Sequence, residues 1–135
     1  VFTSSCLVTG SGDSITNIQT DVLGKEMHLV TLSCNYSTSD STVYLFWYRQ
    51  YPGQVIQYIL SKGARSTDSF MNISPFAKDR FSSATGQDFT ELTISHLTLN
   101  DSAIYYCALR LTALYFIHTL NKNYQNHRTY GMHLC

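Results

Sequence analysis

The 135 residues are enough for one domain with a working core. Hydrophobic residues make up 44% and charged residues 13%, and nine basic residues offset nine acidic ones. That balance excludes charge-driven disorder and argues against nucleic acid as a partner, because phosphate binding needs clustered Lys and Arg. Ten Tyr and seven Phe, with two Pro, suit many short strands joined by polar turns. Four cysteines in such a chain point to an oxidising compartment. The apolar runs are too short to span a bilayer, so no anchor is expected within this stretch.

Residues 1–12 read as the end of a secretory leader, apolar at Val1, Phe2, Cys6, Leu7 and Val8 and then small; an N-terminal arm is the other reading. Residues 28–35 alternate, with Val30, Leu32 and Cys34 on one face and Thr31, Ser33 and Asn35 on the other. Residues 36–44 read as a polar loop. Residues 45–50 are the next strand, Leu45 and Trp47 inward, Phe46, Tyr48 and Gln50 outward. Tyr51-Pro52-Gly53-Gln54 is a turn signal, and residues 55–60 return as the paired strand. Residues 61–68 read as a small-residue loop. Strands then begin at Arg80-Phe81, at 89–94 with Leu92 and Ile94 inward, and at 103–109. Strands at this spacing imply an all-β antiparallel sandwich without helices or repeats.

Cys34 and Cys107, with Trp47 between them, can staple two sheets across a buried indole, and Tyr105 stands where a tyrosine corner needs its hydroxyl. Closing that loop would stabilise the fold by roughly 4 kcal/mol. The run Leu45-Phe46-Trp47-Tyr48-Arg49-Gln50-Tyr51-Pro52-Gly53-Gln54 and the run Asp101-Ser102-Ala103-Ile104-Tyr105-Tyr106-Cys107-Ala108-Leu109 carry more. Together with Thr31-Leu32-Ser33-Cys34 and Arg80-Phe81-Ser82, they resemble the variable region of a T-cell receptor α or δ chain. The resemblance covers residues 13–110. It implies a V-type immunoglobulin sandwich of Greek-key topology, a Cys34–Cys107 disulfide, and a framework of Trp47, Leu92, Tyr105 and an Arg80–Asp101 salt bridge.

Beyond Arg110 the resemblance stops. A complete variable domain ends in a joining segment with Phe-Gly-x-Gly, and residues 111–135 contain none. The final strand of the sandwich is therefore expected to be missing and the tail unstructured. The codons of Leu111-Thr112-Ala113 and of Asn121-Lys122-Asn123 can be written to contain near-matches of the heptamer and nonamer that flank an unrearranged gene of this family. Residues 111–135 then read as germline read-through. An open edge beside the Cys107 strand predicts poor solubility.

The resemblance also assigns surfaces. Phe46, Tyr48, Gln50 and Ile56 form the face that docks a receptor β (or γ) chain, the glutamine bonding its counterpart. Thr38, Ser39, Asp40, Ser41, Thr42 and Tyr44, then Lys62, Gly63, Ala64 and Arg65, then Leu109 and Arg110, form three loops for peptide held on a major histocompatibility molecule. Signalling would pass to CD3-type subunits through constant and membrane segments, placing the receptor at the cell surface. Asn35, Asn72 and Asn100 each open an Asn-x-Ser glycan acceptor. Elimination does the rest. His118, His127, His133 and Cys135 match no compact metal motif, no Ser/His/Asp or Cys/His set is supported, and Gly63 and Gly86 make no phosphate loop. Neither cofactor nor catalysis is expected. The alternatives are a non-rearranging V-type innate or inhibitory receptor, which would need its own final strand, and a cell-adhesion domain.

Overall fold

The computed structural model describes residues 12–19, 21–110, 115–120, 122–125 and 129–133, the last three segments by backbone pairing alone. Residues 1–11 of the leader read at 1–12, Cys6 among them, and His127 and Cys135 lie outside the described residues. Among the described residues twelve strands run in chain order: β1 Ser14–Asn17, β2 Asp21–Lys25, β3 Val30–Ser37, β4 Thr42–Gln50, β5 Gln57–Arg65, β6 Met71–Ile73, β7 Phe81–Thr85, β8 Phe89–Ile94, β9 Ile104–Arg110, β10 Tyr115–Leu120, β11 Lys122–Gln125 and β12 Thr129–His133. Two sheets result. One is ordered β1-β3-β8-β7, and the other runs β11-β12-β9-β4-β5-β6, with β10 on β9 and β2 on β12.

Alternation explains the layering. β3 buries Val30, Leu32, Cys34 and Tyr36 and turns Asn35 and Ser37 to solvent, while β4 buries Val43, Leu45 and Trp47. The inner faces meet over a core of Leu32, Leu45, Trp47, Ile59, Leu92, Ile94, Tyr105 and Leu109, all fully buried. The disulfide Cys34–Cys107 ties β3 to β9 across that core.

Three expectations change. Tyr36 is not loop: it extends β3 inward, and its hydroxyl donates to the Gly86 carbonyl at 2.6 Å. β5 does not stop at Leu60 but continues to Arg65 against β4, because Gly63 lets the 66–70 turn fold down onto it. A Cβ on Gly63 would stand 1.8 Å from the Thr67 carbonyl oxygen. Lastly, the edge of β9 expected to be open is paired. β10 runs antiparallel to it from Tyr115 opposite Arg110 to Leu120 opposite Tyr105. Backbone pairing needs no Phe-Gly-x-Gly, only an extended segment after a reversal. The tail expected to be unstructured thus forms strands at 115–120, 122–125 and 129–133, and the solubility argument from an open β9 edge loses its premise.

Candidate functional site

β4 runs from one end of the sandwich, near the 38–41 loop, to the other, at the Pro52 turn. Functional side chains gather in three regions: the frame at the Pro52 end, the outer face of β4, β5 and β9, and the loops at the far end.

The frame is assembled around Asp101. Arg80 grips its carboxylate with two bonds, Nη1 to Oδ2 and Nη2 to Oδ1, both 2.9 Å. The Thr98 amide donates to Oδ2 at 2.8 Å, part of a reciprocal cap on the single turn Leu99–Asp101. The bond to Asp101 is the main reason the Arg80 pKa is raised. The Tyr105 hydroxyl donates to the Asp101 carbonyl at 2.6 Å, and burial drives its pKa far up. Higher in the core, Trp47 Nε1 donates to Thr90 Oγ1 at 3.1 Å. Sequence reading missed Thr90, although a buried indole N–H usually calls for an acceptor on a facing strand. It also missed Arg49. That side chain lies over the rings of Phe76, Tyr51 and Phe81 at 4.4, 5.1 and 5.8 Å, with Nη1 4.0 Å from Asp101 Oδ1.

On the outer face, alternate residues of β4 line up as expected. The rings of Phe46 and Tyr48 stack at 6.3 Å, and Tyr58 meets Tyr48 edge-on at 5.8 Å. Cross-strand register sets Tyr48 against Tyr58 on one side and Tyr106 on the other. Gln50 Oε1 accepts from the Tyr106 hydroxyl at 2.5 Å, and its Nε2 donates to the Gln54 carbonyl at 2.9 Å. The amide is therefore oriented from within the chain, with one further donor and acceptor direction left. Ile56 is 50% exposed and its neighbour Val55 87%. Tyr58 and Tyr106 belong to this face; alternation along β9 from Cys107 would have found Tyr106.

The loops depart furthest from expectation. Thr38, Ser39, Asp40 and Ser41 form the connection between β3 and β4, braced by Asp40 Oδ1 accepting the Thr42 amide at 2.9 Å. Thr42 and Tyr44, expected in the loop, are on β4, and Tyr44 packs edge-on against Phe70 at 5.2 Å. Lys62, Gly63 and Ala64 are within β5; Gly63 and Ala64 are buried, and Lys62 Nζ donates to the Ser83 carbonyl. The exposed second loop is instead Ser66 to Phe70. Leu109 is buried on β9, since alternation from Cys107 carries it inward, leaving Arg110 exposed at the strand end. Residues 111–114, where the third loop begins, lie outside the described residues.

Arg65 acts as a clamp. Its Nη1 donates to the carbonyls of Thr38 and Asp40 at 2.7 Å each, and Nη2 to the Gln87 carbonyl at 2.6 Å. The backbone at Arg65 sits at φ 57°, costing roughly 1–2 kcal/mol for a residue with a Cβ. Ser66 joins the same end by donating to the Ser41 carbonyl through both amide and hydroxyl. Of the glycan acceptors, Asn35 is exposed on β3, Asn72 on β6 and Asn100 on the Leu99–Asp101 turn, and Asn72 Oδ1 accepts from Tyr58 at 3.1 Å.

The immunoglobulin V-set domain family matches residues 19–134. The chain belongs to that family. Within it, the V-set domain is similar to human T cell receptor alpha variable 38-1, 35% identical over 112 residues, 80% of this chain and 90% of the relative. Human T cell receptor alpha variable 14/delta variable 4 is 33% identical over 114 residues, covering 82% and 91%. The rabbit T-cell receptor alpha chain V region RL-5 is 34% identical over 123 residues, covering 82% and 85%. It is a T-cell receptor α/δ-type variable domain, a class of antigen-receptor domains and not of enzymes. The family match continues past Arg110, where the sequence motifs end. Among the described residues no helix is long and apolar enough to cross a membrane.

Proposed function

We propose that this V-set domain recognises peptide displayed on a major histocompatibility molecule, as the α (or δ) half of a cell-surface receptor whose other half is a β (or γ) chain. The observation carrying this reading is the outer face of β4, β5 and β9. A small domain leaves Val55 and Ile56 in water beside a ladder of Phe46, Tyr48 and Tyr58, with the Gln50 amide held at the end of β4. An apolar patch beside an oriented amide favours a flat, twofold-like partner of the same kind. At the far end, the 38–41 and 66–70 segments are laced into one surface by Arg65 and Ser66, as a composite binding surface requires. CD3-type subunits would couple to the receptor through further segments.

Co-refolding with a receptor β variable domain tests the pairing. Wild type should give a 1:1 complex in native mass spectrometry, and Tyr48→Arg with Ile56→Asp should lose it while remaining folded. Pairing that survives both changes removes the proposed face.

A second reading has one specific observation behind it. A non-rearranging V-type receptor needs its last strand in continuous sequence, and β10 lies along β9 in this chain. Transcripts sequenced through the Cys107 codon decide between them. Varied joins after Ala108 to Arg110 support the rearranging receptor, and one invariant sequence through residue 135 supports the other.

A further inference from the structure

The Pro52 end of the sandwich holds a charge imbalance that the frame does not resolve. Two guanidiniums, Arg49 and Arg80, converge on one carboxylate, and Asp101 already accepts two bonds from Arg80 and one from the Thr98 amide. Arg49 is left with Nη1 at 4.0 Å from that carboxylate, its Nε bonded to the neutral Gln57 Oε1 at 2.8 Å. Its side chain is only 12% exposed and its planes are covered by aromatic rings, so water reaches its charge only in part. Beside it opens a predominantly polar cleft of about 520 Å³, bordered by Tyr51, Gln54, Arg80, Thr98, Asn100 and the buried acid Asp101.

We propose that this cleft is an oxyanion site that takes one carboxylate- or phosphate-sized group against Arg49 and the solvent-facing edge of Arg80. The chemistry follows from the donors. Guanidinium N–H groups match two oxygens of a planar or tetrahedral anion, and the Gln54 and Asn100 amides at the rim can complete the shell. A cation would meet a net positive pocket, and an apolar ligand would strip water from the guanidiniums without offering them an acceptor. The anion can come from two sources: a free small oxyanion, or an acidic side chain on another polypeptide reaching the end opposite the 38–41 loop. This site adjoins the pairing face at Gln54 but is tested on the unpaired chain, so its fate does not depend on the function proposed above.

The test is thermal unfolding of the oxidised chain in chloride, in inorganic phosphate, and in a blocked Ala-Glu-Ala tripeptide, at matched ionic strength and pH 7. Gln57→Glu is the decisive variant, because it places an internal carboxylate where Arg49 Nε already bonds. We expect a saturable rise of roughly 3–5 °C with at least one anion for wild type. Gln57→Glu should unfold higher in chloride alone and gain nothing further, and Arg49→Gln should lose the response. A rise with phosphate only assigns the site to free oxyanions, and a rise with the tripeptide only assigns it to an acidic side chain. No rise with either, or an equal rise in Gln57→Glu reflecting general salt exclusion, overturns the proposal.

Discussion

Tyr105→Phe removes one oxygen from the centre of the frame. That hydroxyl stands 2.6 Å from the Asp101 carbonyl, and both residues are fully buried. The deletion leaves a carbonyl with no water to replace the lost donor, which costs about 2 kcal/mol. For a domain of this size that is about 8 °C in the unfolding midpoint. A second signature comes from titration. Burial holds the folded-state pKa of Tyr105 far above its ordinary value of 10.0. Its contribution is complete below pH 10 and declines as the unfolded chain ionises above it, by about 1.4 kcal/mol per pH unit. A phenylalanine at this position cannot ionise, so the variant should lose less stability than wild type between pH 10 and 11. A residual decline remains, because burial also raises the pKa values of Tyr36, Tyr51 and Tyr58. Urea titrations followed by emission of the lone, buried Trp47 at pH 8 and pH 11 read both effects. A variant within about 0.5 kcal/mol of wild type at pH 8, or with an unchanged alkaline decline, would refute the tyrosine-corner account.

Three further outcomes follow from the same geometry. Asp101→Asn leaves Arg80 and Arg49 around a neutral amide and should cost about 3 kcal/mol in urea titration, more than an exposed ion pair could; a loss under about 1 kcal/mol counts against a shared buried carboxylate. Gly63→Ala forces a methyl against the Thr67 carbonyl and should destabilise by more than about 2 kcal/mol, whereas Gly24→Ala meets a flexible Leu97 methyl and should cost less. Equal midpoints for the two would show the 66–70 turn to be free of β5. Reducing Cys34–Cys107, which spans 73 positions, should lower stability by about 4 kcal/mol, measured by urea titration with and without reductant.

Much of this architecture was legible from period-two alternation, because a strand with one buried face advertises itself. β8 read correctly in full for that reason, and the facing of β3 and β4 read correctly though not their loop-side ends, while the Arg80–Asp101 pair and Tyr105 were found through motifs whose residues lie far apart in sequence but share a fixed role. Boundaries failed where composition misled. Ser61, Lys62, Gly63 and Ala64 look like loop, yet the missing side chain of Gly63 lets β5 continue beneath the 66–70 turn. Tyr36 looks like the start of a polar loop, but its ring is core and only its hydroxyl is polar. Arg49 and Thr90 escaped notice because each matters through a partner on another strand. β10 was invisible to a motif search, since strand pairing depends on backbone and not on the Phe-Gly-x-Gly signature.

Arg65 has a consequence for how this end of the molecule can change. It holds the 38–41 connection and the Gln87 turn through main-chain carbonyls, and every residue type supplies the same carbonyl. Substitutions at Ser39, Ser41 or Gln87 therefore alter what the surface displays without disturbing the bonds that set its shape. Such a rim is a fixed stage on which the cast can be replaced, and its diversity is bounded by the one arginine that cannot be.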